Sequence, residues 1–281
     1  DPFTRCGLRK VTCITAVDDF LVHHLSNRYA GVKGIPMDVF RLQLQVLLDI
    51  EAGRRPAFTL CPVEPRVLAS RWCKHYDERA DDPVLAAVPS DARTVLSVGC
   101  GAGATESRLV QQGVAVTALP LDSVVGGVAE QFGIEVVHGS LGESLDGLRG
   151  RQFDCVFMSH LLHLLPDPIA VLSACSRLVI PDGTLVIAGY NFDLLTNWTR
   201  RLLRRAEYAD LGDFARSGLN LCRPGQVSRH LETLGFQTDW VRWYDWSRLH
   251  QWPVARRFLQ RGVARKWLLR SRSNPSLGSA G

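Results

Sequence analysis

From about residue 93 onward the chain alternates short aliphatic runs with segments of helical period. Val95–Val98, Val114–Leu119, Ile134–His138, Cys155–Ser159 and Thr184–Ala188 are close to continuously apolar. That pattern belongs to strands covered on both faces. Between them Glu106–Gln112, Val124–Phe132, a short stretch near Leu145 and Pro168–Leu178 read as helices. Such alternation predicts a parallel sheet with right-handed crossovers. A helix from Pro224 to Gly235 and a strand over Phe236–Trp243 follow. Upstream, Asp38–Ala52 reads as a helix, with Asp at its N-cap and Gly53 as its stop. Pro56, Pro62 and Pro65 mark a linker, and Arg66–Arg79 reads as a further helix closed by an Asp-Asp-Pro turn.

The length of 281 residues suits one large α/β domain with an appendage. The opening Asp-Pro-Phe-Thr reads as the remnant of a cloning vector. Residues 5–65 are then expected to be a helical extension or the tail of an upstream domain. Residues 66–270 are expected to form the main domain, and 271–281, rich in Ser, Gly and Pro, a disordered tail. At 46% hydrophobic and 22% charged residues the composition is globular. No apolar run approaches the ~20 residues of a membrane span, so no transmembrane segment and a cytoplasmic location are expected. The eight cysteines are scattered without a Cys-x-x-Cys pair. They read as reduced core thiols, and no metal site is expected.

The net charge of +5 is uneven: no Asp or Glu follows Asp245, while eight Arg and Lys residues do, from Arg248 to Arg272. Arg200, Arg201, Arg204 and Arg205 form a second cluster. Such runs suit weak contact with an anionic surface. Nucleic acid is not the expected partner, because no basic face interleaved with aromatics emerges. The stretch after Pro253 has helical composition, but its apolar residues do not separate from its arginines on a wheel. Phe258 and Trp267 are therefore expected to pack on the domain.

The candidate chemistry lies at VLSVGCGAGATESRL, residues 95–109. A buried strand runs into Gly99, Cys100, Gly101 and Gly103 and then into a helix. Glycines let a backbone turn sharply or touch a ligand. A helix N-terminus behind them presents free N–H groups to a polar ligand. Gly99-x-Gly101-x-x-Ala104 also satisfies the dinucleotide pattern, with Asp122 about twenty residues on. A nicotinamide-dependent oxidoreductase is thus one reading.

Taken in order, VLSVGCGAG, FDCVFMSHLLHLLPDP, PDGTLVIAGYNF and LCRPGQVSRHLETLGF resemble the class I S-adenosylmethionine-dependent methyltransferases over residues 93–243. The resemblance implies a Rossmann-like, mostly parallel seven-stranded sheet of order 3-2-1-4-5-7-6. Only Gly262–Lys266 is left for the last strand, which is expected short or missing. It places S-adenosylmethionine over Ser97, Gly99, Cys100, Gly101 and Gly103, with Ser159 nearby and adenine at the backbone of Ser140 and Leu141. Tyr76 becomes a lid residue, and His160 and His163 become candidate bases near the reacting centre. A histidine, with an ordinary pKa of about 6.5, can take a proton from an acceptor hydroxyl or amine.

Two departures stand out. Ser97 replaces the acid usual two residues before the first glycine. Pro120 replaces the acid that grips the ribose, and Asp122, the nearest carboxylate, is expected to reach the ribose from a reshaped turn. The expected function is methyl transfer to a small-molecule, sugar or lipid-like acceptor, covered by residues 191–223, with Tyr190 and Asn191 on the rim. A degenerate methyltransferase fold serving as an interaction module in a multidomain protein is the other alternative.

Overall fold

The computed structural model describes residues 37–60, 79–194, 212–246 and 260–274, together with 197 and 199. Helix α1 (Met37–Glu51) precedes the sheet. The alternating region then runs β1 (Thr94–Cys100), α2 (Ala104–Gln111), β2 (Ala115–Pro120), α3 (Ser123–Glu130), β3 (Glu135–Val136) and α4 (Leu141–Gly147). It continues with β4 (Phe153–Ser159), α5 (Pro168–Ser176), β5 (Val179–Tyr190), α6 (Pro224–Thr233), β6 (Phe236–Trp246) and β7 (Ala264–Ser273). The seven strands form one sheet of order β3-β2-β1-β4-β5-β7-β6. β1 to β5 pair in parallel, and β7 runs antiparallel to both β5 and β6.

Both faces of the central strands are buried, which is why their sequences are continuously apolar rather than alternating. Leu96, Val156, Leu185 and Trp267 face one core cluster, together with Val124 and Val128 of α3. Val95, Cys155, Val186 and Leu268 face the other, together with Leu109 of α2. The helix starts follow capping chemistry. Asp122 accepts from the backbone N–H groups of Val124 and Val125, and Asp167 caps α5. Ser140 and Glu143 form a capping box on α4.

The last strand differs from expectation. β7 extends through Ser271 to Ser273, beyond the Gly262–Lys266 stretch and into the residues expected to be tail. Its Trp267, Leu268 and Leu269 are all buried because the strand lies inside the sheet, between β5 and β6. Trp267 packs on the domain as expected: its ring lies so close over Gly189 that a Cβ there would clash with it. Phe258, residues 66–78 of the helix expected at Arg66–Arg79, and residues 195, 196, 198 and 200–211 of the expected substrate cap lie outside the described residues.

Helix α1 is part of the same packing unit. Val46 and Ile50 enter the core cluster that holds Val124 and Val128. A Cβ at Gly127 would lie 2.8 Å from both methyls of Val46, so α1 sits directly on α3. Among the described residues no helix is long and apolar enough to cross a membrane.

Candidate active site

The loop between β1 and α2 carries the three glycines. Val98 pairs with Leu119 and Cys100 with Pro120, so Gly99 is the extra residue of a bulge, at φ +79°. A Cβ there would lie 2.7 Å from the Leu161 side chain. Gly103, at φ +83°, is hemmed in by Ile134 and Ala129, at 2.8 and 3.1 Å. Protein packing therefore dictates two of the glycines, while Gly101 sits half-buried at the loop's tip. Gly103 is also the N-cap of α2, and no side chain caps that helix. Its first-turn N–H groups keep the positive end of the helix dipole for an anionic group.

Beneath the loop, the Ser97 hydroxyl donates to the carboxylate of Glu106 at 2.6 Å. Both are buried, Glu106 to 4% exposure. A carboxylate thus stands behind the loop although position 97 is not acidic; it comes from the first turn of α2.

At the carboxyl end of β4, His160 is 1% exposed and adopts φ +51°, an uncommon conformation for any residue but glycine. Its Nε2 lies 3.2 Å from the Tyr244 hydroxyl of β6 and 3.4 Å from Oδ2 of Asp81. The Tyr244 hydroxyl lies 3.3 Å from the same Oδ2 and donates to it. A proton on Nε2 satisfies all three contacts, since the carboxylate only accepts and the tyrosine can give its one proton to it. Asp81 is itself fixed: its N–H donates to Thr105 of α2, and its Oδ1 accepts from Val84. Burial pushes the Asp81 carboxyl up, but the His160 hydrogen bond and the charges of His160 and Lys266 hold it below its ordinary value. The Tyr190 ring lies between the two histidines, tilted 4.8 Å from His160 and edge-on 5.1 Å from His163. Lys266 Nζ sits 5.7 and 5.9 Å from the Tyr190 and Tyr244 ring centroids.

At the carboxyl ends of β2 and β3, residues Phe58–Leu60 run across the site. Leu60 donates its N–H to the Leu121 carbonyl at 2.8 Å, and its carbonyl accepts the Leu141 N–H at 2.7 Å. Thr59 forms an antiparallel bridge with Asp122. Phe58 N–H donates to Ser123 Oγ at 2.6 Å, and the Phe58 carbonyl accepts the Ser123 N–H at 3.1 Å.

Residues 96–187 match a family model described as a methyltransferase domain. A ubiquinone biosynthesis O-methyltransferase of Xylella fastidiosa is 32% identical over 115 residues, 39% of this chain and 47% of that protein. The chain spans about half the length of the curated relatives it matches. A methyltransferase structure from Archaeoglobus fulgidus superposes with TM-score 0.51 at 18% identity, over 68% of this chain and 89% of that one. Residues 96–187 thus carry the sequence signature of a methyltransferase domain, on a fold shared with S-adenosylmethionine-dependent methyltransferases. The 4+2 cyclase SpnF superposes equally well, TM-score 0.51 at 15% identity over 86% of this chain and 99% of that one. Likeness at this identity carries the fold alone.

The methyltransferase domain gathers the expected residues unevenly. Ser97, Gly99, Cys100, Gly101 and Gly103 meet at the loop, with Ser159 and His160 across from it at the end of β4. His163 enters a 3-10 turn, 2% exposed, against Tyr190 and Phe192. Asp122 is fully buried and caps α3. The Ser140 N–H donates to Glu143 and the Leu141 N–H to Leu60. Asn191 ties β5 to β7, its side chain donating to the Ala264 carbonyl at 2.7 Å. Tyr76 lies outside the described residues. Asp81, Glu106, Tyr244 and Lys266 were not foreseen. Only Glu106, a carboxylate nine residues beyond Ser97, left a signal within the glycine motif itself.

The donor set fits the methionyl half of S-adenosylmethionine: an uncapped helix N-terminus for its carboxylate, and Gly101 for close backbone approach. On the adenosine half, the backbone groups of Leu121 and Leu141 meet Leu60 instead.

Proposed function

We propose that this domain transfers a methyl group from S-adenosylmethionine to a hydroxyl of a small acceptor held between the glycine loop and the Tyr190–Tyr244 pair. The observation that carries this reading is the Asp81–His160–Tyr244 cluster beside the loop, with Leu161 pressed against Gly99. The relatives named O-methyltransferases support a hydroxyl over an amine. Sugar and lipid-like acceptors fall within the same class.

Gly101 and the α2 N-terminus would hold the methionyl carboxylate, with Glu106 behind the loop. When bound, the cofactor supplies an already activated methyl group. The protein's main task is then to place the acceptor in line and keep water away. Tyr190 and Phe192 supply an apolar wall for an acceptor ring or chain. With the proton held on Nε2, the His160 ring takes the acceptor's hydroxyl proton on Nδ1, and Asp81 stabilises the resulting positive charge. Tyr244 keeps the ring in that orientation.

The test is turnover with catechol as the probe acceptor, measured as S-adenosylhomocysteine formed. The wild type should turn over, and His160→Gln should lower kcat by about 10²–10⁴-fold while cofactor affinity stays unchanged. Equal kcat in both proteins would remove His160 from the chemistry. Binding of NAD in place of S-adenosylhomocysteine would establish the nicotinamide reading instead.

A further inference from the structure

The ends of β2 and β3 are where an open α/β sheet of this winding receives the nucleoside half of its ligand, beyond the strands' carboxyl ends. In this chain that place is filled by the chain itself. Leu60, 2% exposed, spans from the Leu121 carbonyl to the Leu141 N–H with both of its backbone groups. Thr59 pairs with Asp122, and Phe58 exchanges hydrogen bonds with Ser123. A backbone N–H makes one good hydrogen bond, so Leu141 cannot serve Leu60 and a purine ring together.

The strap is also anchored just before it crosses. Arg55 Nη1 lies 2.7 Å from Glu130 of α3, which accepts at 2.6 Å from His138. Phe58 packs edge-on against His138, with centroids 5.1 Å apart. Pro56 and Ala57, between this anchor and the strap, are exposed.

We propose that Phe58–Leu60 is an internal strap occupying the adenosine half of the cofactor site, released when the cofactor binds. This rests on the methyltransferase reading of the same site. Anchoring by Arg55 leaves Pro56 and Ala57 as the pivot, while Leu141 N–H and the end of β2 pass from Leu60 to the ligand. Apparent cofactor affinity is then the intrinsic affinity scaled by the fraction of molecules with the strap released. Anything that pulls on the segment upstream of Phe58 regulates the site.

Hydrogen exchange read at single amides of the full chain, with and without S-adenosylhomocysteine, tests this. Without ligand, the Leu60 and Leu141 amides should both be protected. With saturating ligand, Leu60 should exchange at least about tenfold faster while Leu141 stays protected, its partner exchanged for the ligand. Two variants loosen the strap: Ser123→Ala removes the oxygen that accepts from Phe58, and Phe58→Ala removes the ring against His138. Each should bind S-adenosylhomocysteine about tenfold more tightly than the wild type. Binding with Leu60 still protected, or unchanged affinity in both variants, overturns the strap and leaves the methyltransferase reading standing. No binding by the wild type or either variant overturns that reading, and the strap with it.

Discussion

Gly99→Ala probes the contact that joins the glycine loop to the histidine-bearing end of β4. Two costs are worked from the structure. At φ +79° a Cβ meets the backbone unfavourably, costing about 1–2 kcal/mol. The same Cβ would lie 2.7 Å from Leu161, a fully buried side chain, adding about 1–3 kcal/mol of overpacking. Gly99→Ala should therefore destabilise by about 2–5 kcal/mol. Leu161→Ala alone should cost about 2–5 kcal/mol through the cavity it leaves. In the double variant the new methyl enters that cavity, so only the backbone cost remains beyond the cavity. Urea unfolding of the four proteins should show the double variant more stable than the sum of the singles by about 1–3 kcal/mol. Additivity within about 0.5 kcal/mol would refute the contact.

Trp267→Ala should destabilise by about 3–5 kcal/mol in the same assay, since the ring fills the core over Gly189. Asp122→Ala should lose about 1 kcal/mol through the missing cap on α3, whereas Asp122→Asn should keep nearly all of it; equal losses would mean that charge, not capping, is what the position supplies. Hydrogen bonds from Arg151 and Thr117 draw the Glu135 carboxyl down from 4.5 to about 2. A depressed folded value stabilises above the unfolded one and is lost as pH falls through about 2. The pair is half-exposed, so Arg151→Ala should cost only about 0.2–1 kcal/mol at pH 7. That difference from the wild type should vanish near pH 2 in acid titrations followed by circular dichroism.

The sheet was legible where its residues face two cores. Leu96 and Val95 alternate between the clusters, and each central strand repeats that rhythm, so the apolar runs mark strands directly. β7 was not legible. Trp267-Leu268-Leu269 lies among arginines, and only pairing with β6 and with β5, far back in the sequence, makes an interior strand of it. The site divides similarly. The glycine loop and the histidines are local motifs, each contained in a few residues. Asp81 and Tyr244 reach His160 from 79 and 84 positions away, and neither carries a local mark. The capping role of Asp122 was visible in Asp-Ser before an apolar helix. Glu106 was in view within ATESRL, but its turn inward to Ser97 is a matter of helix phase on β1.

Isothermal titration of S-adenosylhomocysteine into the full chain, beside Gly101→Val, tests the central claim most directly. The wild type should bind, and at ligand a hundredfold above its dissociation constant should gain about 2.7 kcal/mol of stability. Gly101→Val, with a branched side chain at the tip of the loop, should show neither heat nor stabilisation. No heat and an unchanged melting curve for the wild type at saturating concentrations would contradict the account.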